Sequence, residues 1–337
     1  MERVVDDRTV EEQPAPLAPR VVAARASVGT STAAWLVCYR WRVVAAYVLV
    51  SAILVALDGL PNRPYMVFWV VGVLALGTWR NPNPIAKVVW DWLPILVIAG
   101  GYDLVRSRAV DLVPRAVTEP QLRFDEIVFG GTVPTVVIQD AIVEQGRVQW
   151  WDYPAWLMYL SHFVFTLAIA LWCYVRHRDW FRRLALLILT VSICGFITYF
   201  ILPAVPPWLA SRNGDLEPTT RIVHDVWAHL GIDGAAKVFG GDAKLANPVA
   251  ALPSLHAAWP FIVLLFLWNK VGRWRWAILA YNAVMVLVLV YGAEHYVSDI
   301  LLGWLYATVV YVVVTRIMDR REAARRAVAG VPVCAKT

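Results

Sequence analysis

The chain has 337 residues, of which 59% are hydrophobic and 17% charged, and its mean hydropathy is +0.56. Soluble domains are about 45–50% apolar and about 25% charged, so this balance excludes an ordinary soluble protein. The formal net charge of +6 is modest, and no basic stripe with interleaved aromatic residues is present, so no nucleic acid is expected as a partner. We therefore expect an all-α integral membrane protein.

Eight apolar runs follow one another along the chain and predict about eight transmembrane helices. Several runs are shorter than the ~20 residues that cross a bilayer, so their ends must extend into the flanking segments. Links rich in proline or charge, such as RNPNPIAK and RHRDWFRR, separate them. The runs cover residues 43–57, 65–79, 86–105, 154–175, 184–203, 257–268, 276–292 and 298–318.

These runs and the links between them divide the chain into five regions. The first region is acidic and contains prolines, which is typical of a disordered cytoplasmic tail and not of a signal peptide. The predicted regions are the tail at 1–32, N-terminal membrane helices at 33–105, an outer loop with interfacial segments at 106–153, a membrane core at 154–318 that includes a second outer loop at 204–255, and a basic cytoplasmic tail at 319–337.

The positions of the lysines and arginines predict which ends of the helices face the cytoplasm. Cytoplasmic loops carry an excess of Lys and Arg, and with eight spans all five basic clusters fall on one side. His256 and His295 then lie at the opposite, extracytoplasmic face, in a protein that we expect in the plasma membrane. The basic clusters are found at 40–42, 80–87, 176–183, 270–275 and 320–326.

Two histidines and an aspartate stand at predicted membrane entrances, in the stretches ALPSLHAAWPF and YGAEHYVSDILLGW. Asp299 follows His295 by four residues, a spacing at which a carboxylate can fix the tautomer of an imidazole. His256 follows Ser254, which is a typical helix cap, and the start of a helix favours phosphate. Together these residues predict a site for phosphoryl transfer.

Three other interpretations of the same residues stay open at this point. A metal could be bound by His256, His295 and Asp299. A serine hydrolase could use Ser254, although no G-x-S-x-G elbow is present. The residues could also be polar groups that only satisfy one another at a helix interface.

The motifs resemble those of the type 2 phosphatidic acid phosphatase superfamily. PSLH at 253–256, then HYVSD at 295–299 with Gly303 four residues further, is similar to its second and third motifs. LPAVPPW at 202–208 and FGGTVPTVVIQD at 129–140 are similar to segments of its inositol phosphorylceramide synthase branch. The resemblance covers about residues 100 to 315 and implies a six-helix core with an outward-facing site.

The resemblance also implies roles for the three residues. His295 would be the nucleophile that takes the phosphoryl group, Asp299 would orient it, and His256 would protonate the departing alcohol and then activate the acceptor. The donor would be a phospholipid such as phosphatidylinositol, and the acceptor a hydroxylated lipid or glycan. This chemistry requires no metal or other cofactor, so none is expected.

The groups that hold the phosphate are less clearly marked in the sequence. Phosphatases of the superfamily have an arginine six residues before the nucleophile, where this chain has Leu289. Besides Ser254, the candidates are Arg212 and Lys244, each of which could be a solvated loop charge. Asp152 is a candidate for contact with an inositol hydroxyl or with a basic side chain.

Other functions use the same features. With water as the acceptor, the same three residues would make a lipid phosphate phosphatase. A transporter would explain His162, an ionisable residue within a predicted span, although an interhelical hydrogen bond would also explain it. Against transport, the sequence has no internal repeat and no paired broken helices. A purely structural scaffold would not need the polar cluster.

Overall fold

The computed structural model describes residues 84–144, 146–232 and 247–328, together with a few helical positions between 42 and 50. The predicted span at 65–79 and nearly all of the span at 43–57 lie outside these residues. So do Lys244 and the predicted tail at 1–32.

Within the described residues the chain is helical and contains no β-strand, which agrees with the all-α prediction. Two isolated bridges, Val117 to Ala204 and Ala204 to Ala250, bring three connecting segments together. The helices are α1 (Pro84–Ser107), α2 (Ala109–Leu112), α3 (Glu119–Val128), α4 (Pro134–Ile142), α5 (Asp152–Arg176), α6 (Arg178–Ile201), α7 (Pro207–Asn213), α8 (Ile222–His229), α9 (Leu255–Leu267), α10 (Trp274–Tyr291) and α11 (Val297–Val328).

Four of these helices, α1, α6, α10 and α11, are long and apolar enough to cross a membrane. Helix α5 is bent by 43° between its two halves, Asp152–His162 and Val164–Arg176. It adds a fifth helix of this kind if the two halves are counted as one span. The predicted span at 257–268 forms a helix of 13 residues, which is shorter than the ~20 that cross a bilayer. The described residues thus contain four or five such helices, and the count of eight and the six-helix core stay predictions.

The short helix α9 lies at the centre of the bundle. It packs against α5, α6, α10 and α11, whereas α1 packs on the outer side of α6. Ala258, Ile262, Val263 and Leu267 of α9 are completely shielded from solvent. A helix that is apolar on nearly every side lies either in lipid or inside a protein, and the four helices around α9 show that it is buried within the bundle.

The basic links meet at one end of the bundle. Arg183 at the start of α6 forms ion pairs of 2.7 Å with Asp319 and with Glu322 near the end of α11. Lys270, in the link between α9 and α10, lies 6.0 Å from the ring centre of Trp180. These contacts bring together the links at 176–183 and 270–275 and the end of α11. The first turns of α9 and α11, which carry the predicted site, lie at the opposite end.

Gly303 allows the loop before α9 to touch α11. A methyl group added at Gly303 would lie 2.4 Å from the carbonyl oxygen of Ser254, far inside van der Waals contact. The amide of Ser254 also donates to the carbonyl oxygen of Asp299, at 2.9 Å. The two sequence motifs are therefore joined backbone to backbone, and a side chain at position 303 would separate them.

We expect Gly303→Ala to destabilise the protein and to lower its activity. Alanine is the better helix former by about 1 kcal/mol, so a loss of stability would report the clash with Ser254 and not helix propensity. Overpacking typically costs about 1–3 kcal/mol. Thermal unfolding in detergent measures the effect, with Leu305→Ala as the control, because Leu305 on the same helix is 55% exposed. Equal unfolding temperatures for Gly303→Ala and wild type would show that this close approach is not needed.

Candidate active site

Ser254 begins helix α9 and confirms the predicted cap. Its side-chain oxygen accepts a hydrogen bond from the amide of Ala257, at 3.2 Å, and the residue is fully buried. The hydroxyl of Tyr199 on α6 donates to the carbonyl oxygen of Pro253, at 2.8 Å. The loop that leads to His256 is thus held by α6 on one side and by α11 on the other, so the first turn of α9 has a fixed place.

His295 follows a tight turn at the end of α10. The amide of Glu294 donates to the carbonyl oxygen of Leu289, at 3.0 Å, and that of Ala293 to Val290, at 3.2 Å. Ala293 has a φ of 58°, in the left-handed region. This combination is the Schellman motif, in which glycine is usual at the left-handed position. The turn also explains why His295 lies two residues before α11 begins and not within it.

Three side chains form a line across the site. Nδ1 of His295 lies 3.4 Å from Oδ2 of Asp299, and its Nε2 lies 3.3 Å from Nδ1 of His256. Oδ2 of Asp299 also accepts from the amide of Tyr296, at 3.0 Å. His295 is 4% exposed and Asp299 is fully buried. Both distances are at the long end of the hydrogen-bonding range, so the three side chains are close enough to form a hydrogen-bonded line.

Helix α5 forms a wall of rings beside His256. Tyr159 stacks on the imidazole with the ring centres 4.9 Å apart, and His162 lies 4.5 Å from it at an angle of 51°. Both residues are buried. They are three residues apart and so project from one face of the helix. His162 is therefore part of the candidate site.

A largely buried ion pair lies directly beside His295. Nε and Nη2 of Arg221 donate to the two carboxylate oxygens of Glu294, at 2.8 and 2.9 Å, and Glu294 immediately precedes His295. The guanidinium lies 4.2 Å from the ring centre of Trp208. Burial opposes the charge, but the neighbouring Glu294 outweighs it and raises the pKa of Arg221. The guanidinium is therefore a permanent positive charge at the site.

Asp125 from the outer helix α3 caps helix α11. Its carboxylate oxygens accept from the amides of Val297 and Ser298, at 2.9 and 3.0 Å. Burial raises the pKa of Asp125, and the two amide hydrogen bonds counteract part of that effect. The cap fixes the first turn of α11, which carries Asp299.

The remaining predicted residues occupy varied positions. Both oxygens of Asp152 accept internal hydrogen bonds, from the Tyr291 hydroxyl and from the Gln149 amide. Arg212 is exposed and lies 5.3 Å from the ring centre of Trp208, on which Arg221 also packs. Lys244 lies outside the described residues. Their binding roles stay predictions.

Two of the upstream motifs brace the turn before His295. The side-chain amide nitrogen of Gln139 donates to the carbonyl oxygens of Tyr291 and Thr220, at 2.6 and 2.9 Å. The amide of Trp208 donates to the carbonyl oxygen of Ala293, at 3.0 Å. Both contacts meet the end of α10, so these motifs support the position of His295.

A metal ion was one interpretation of the histidine cluster. In the parts of the chain that the structure describes, no three His, Cys, Asp or Glu residues are arranged to hold a metal ion.

Sequence reasoning missed Arg221, Glu294 and Asp125. Glu294 carried a signal, because an acidic residue inside the apolar stretch VYGAEHY requires a buried partner. No signal in the sequence marked Arg221 as the partner of Glu294, or Asp125 as a cap of α11. Both depend on how the loops at 106–153 and 204–255 fold back onto the bundle.

The fold and this cluster define a membrane protein with a buried His–His–Asp site at one end of a helical bundle. A family model described as the PAP2 superfamily matches residues 140–313. The chain therefore belongs to the PAP2 superfamily and is an integral membrane enzyme. The resemblance drawn from the motifs is confirmed.

Two curated relatives are similar to part of the chain. The phosphoinositol dihydroceramide synthase of Bacteroides thetaiotaomicron is 32% identical over 163 residues, which is 45% of this chain and 52% of that protein. The inositol phosphorylceramide synthase catalytic subunit aur1 of Schizosaccharomyces pombe is 29% identical over 128 residues, which is 36% of this chain and 30% of that protein. The matches thus span about half of the first relative and less of the second. No solved structure matches the chain.

Proposed function

We propose that the protein is a phosphotransferase that moves phosphoinositol from phosphatidylinositol to a hydroxyl group of a lipid or glycan and releases diacylglycerol. The observation that carries the proposal is the line from Asp299 through His295 to His256, with contacts of 3.4 and 3.3 Å. The two relatives named as synthases that act with phosphoinositol support this choice of head group. The chemistry needs no metal or other cofactor.

The proton positions follow from the chemistry of the side chains. An ionised carboxylate only accepts hydrogen bonds, so Nδ1 of His295 carries a proton toward Asp299. Nε2 of His295 then has a free electron pair and accepts from Nδ1 of His256. The tautomer of the nucleophile is thereby set, which is the arrangement that activates an imidazole for attack.

Transfer then takes two balanced steps. Nε2 of His295 attacks phosphorus, the bond from phosphorus to the glycerol oxygen breaks, and a doubly protonated His256 gives that oxygen a proton. Diacylglycerol leaves, and phosphoinositol remains bonded to His295. The neutral His256 next takes the proton of the acceptor hydroxyl, whose oxygen attacks phosphorus and frees His295. With water in the acceptor's place the same steps are a hydrolysis, and with a lipid phosphate monoester as the donor the site would be a lipid phosphate phosphatase.

We assign the phosphate-holding charge to Arg221. It is largely shielded from solvent, it pairs with the residue that precedes His295, and its charge is permanent, which suits a group that balances the negative charge of a phosphate. The first amides of α9 after the Ser254 cap provide further donors for phosphate oxygens. Arg212 is more exposed and is a weaker candidate.

We further propose that the site faces the extracytoplasmic side of the plasma membrane, because the basic links at the other end of the bundle mark the cytoplasmic side. A cysteine introduced at Asn213 should react with an impermeant maleimide in intact cells, whereas one introduced at Asp179 should react only after lysis. Both positions are exposed at opposite ends of the bundle. The reverse labelling pattern would place the site in the cytoplasm.

The central experiment supplies phosphatidylinositol labelled in its inositol ring, together with a lipid extract, to the purified protein. We expect a new labelled product and diacylglycerol, and no product from His295→Ala, which lacks the nucleophile. His256→Ala should be roughly 10²–10⁴-fold slower. Asp299→Asn keeps the shape but not the charge, and a comparable change in a serine protease costs about 10⁴-fold.

An activated donor separates the roles of the two histidines. The 4-nitrophenyl ester of inositol phosphate has a leaving group that needs no proton, so the first-turnover release of nitrophenolate should be rescued in His256→Ala but not in His295→Ala. Rescue of His295→Ala alone would invert the assignment. Free labelled inositol phosphate or inorganic phosphate in place of a new lipid or glycan would identify a hydrolase.

The assignment of Arg221 has a matched control on the same tryptophan. Arg221→Gln should lower turnover by roughly 10²–10³-fold, the usual cost of a lost oxyanion donor, whereas Arg212→Gln should change it by less than about threefold. Because Arg221→Gln leaves Glu294 buried without its partner, the double variant with Glu294→Gln is measured as well. Activity close to wild type in the double variant would mean that the pair is only structural.

A further inference from the structure

His162 lies in α5, is 3% exposed, and takes no part in the proposed transfer steps. Ionisable residues inside a membrane span are costly and are usually retained for function. The surroundings of His162 indicate what that function is.

The imidazole of His162 contacts two rings of helix α9. It stacks on Trp259, with ring centres 5.0 Å apart and an angle of 28°. It also lies 4.5 Å from the ring centre of His256. His162 therefore packs against both the general acid of the proposed mechanism and a large aromatic side chain one turn further along α9.

Trp259 is itself fixed by hydrogen bonds to α6. Its Nε1 donates to Oγ of Ser192, at 3.0 Å, and Ser192 donates to the carbonyl oxygen of Ile188, at 2.7 Å. Ser192 is fully buried, so this chain is shielded from water. The Trp259 ring is thus anchored to α6 by a hydrogen bond, and His162 contacts both this ring and His256.

The backbone of α5 is bent next to His162. The helix bends by 43° between Asp152–His162 and Val164–Arg176. Oγ of Ser161 donates to the carbonyl oxygen of Met158, at 2.6 Å, a type of contact that often bends helices. The bend lies where Tyr159 and His162 contact His256. The two rings beside His256 are therefore presented by a bent part of α5 and not by a regular helix.

The proposed reaction needs such a wall. The ring nitrogens of His256 and His295 are 3.3 Å apart, which leaves no room for a phosphoryl group between them. When the donor binds, His256 must give way and still present a nitrogen to the leaving oxygen. A ring that moves without guidance would lose that alignment, and small misplacements of catalytic groups are costly.

We propose that His162 is a positioning residue whose ring holds the imidazole of His256 in the orientation from which it protonates the leaving alcohol. This inference rests on the proposed function, because it takes His256 to be the general acid. It differs from a structural role in one measurable respect: it concerns proton transfer by His256, so it should not affect first-step cleavage of a donor whose leaving group needs no proton.

The test compares the first turnover of two donors in His162→Ala. With phosphatidylinositol, whose alkoxide must be protonated, the first-turnover release of diacylglycerol should slow roughly 10–100-fold, a part of the usual worth of general acid catalysis. With the 4-nitrophenyl ester of inositol phosphate, the first-turnover release of nitrophenolate, which precedes the step that needs His256 as a base, should stay within about threefold of wild type. Equal losses with both donors would overturn the inference, because a structural defect does not distinguish leaving groups.

Two further variants make the test independent of folding. His162→Phe keeps a ring against both Trp259 and His256 and should retain most of the activity with both donors; a loss as large as that of His162→Ala would overturn the role of the ring. Thr166→Val is the matched control, one turn further along α5 and fully buried, and should behave as wild type.

His256→Ala separates this inference from the proposed function. If it shows the donor-dependent loss and His162→Ala does not, only the role of His162 is wrong. If His256→Ala loses both donors equally, the assignment of the general acid fails and the role of His162 fails with it.

Discussion

The backbone of Ser254 touches helix α11 at two points, through its amide to the carbonyl oxygen of Asp299 and through its own carbonyl oxygen against Gly303. Both contacts are made by backbone atoms of Ser254. The loop before α9 can approach α11 this closely because Gly303 has no Cβ. His256 lies two residues after Ser254, and Asp299 lies on the helix it touches. The spacing of the two histidines therefore follows from a backbone contact, which is more rigid than one made by long side chains.

Four carboxylates lie buried near this end of the bundle, and each is stabilised differently. Asp125 accepts from two amides, Asp152 from an amide and a tyrosine hydroxyl, and Glu294 from a guanidinium. A buried charge without such partners would cost several kcal/mol. Of the four, Asp299 is the one whose oxygen faces an imidazole. The three other carboxylates are therefore suited to holding the turn before His295 and the first turn of α11 in place. Asp299 is suited to fixing the position of the proton on the imidazole of His295.

The sequence was sufficient for much of this arrangement and not for all of it. Hydropathy located both ends of α1, α5 and α10 to within about two residues, because long apolar helices need little besides the bilayer. It missed the charged first turns of α6 and the charged last turns of α11, which are helical but not apolar. It could not show how α9 is surrounded, since a helix buried among four others and a helix in lipid have the same composition. The spacing of His295 and Asp299 predicted their contact, but it did not predict the Schellman turn, where Ala293 occupies a position that usually holds glycine. Arg221 could not be found, because its place beside Glu294 depends on loop folding that no local pattern encodes.

In the proposed mechanism, burial decides between transfer and hydrolysis. Water and an acceptor alcohol present the same O–H group to His256, so the three catalytic residues cannot tell them apart. His295 is 4% exposed, Asp299 is fully buried, and Tyr159 and His162 cover one side of the His256 ring. A site with so little exposure to solvent would favour an acceptor that approaches from the membrane with its hydroxyl foremost over bulk water. The choice of acceptor would thus be determined by which hydroxyl can approach His256, and the rings that position this histidine would also help to keep water away from phosphoinositol bonded to His295.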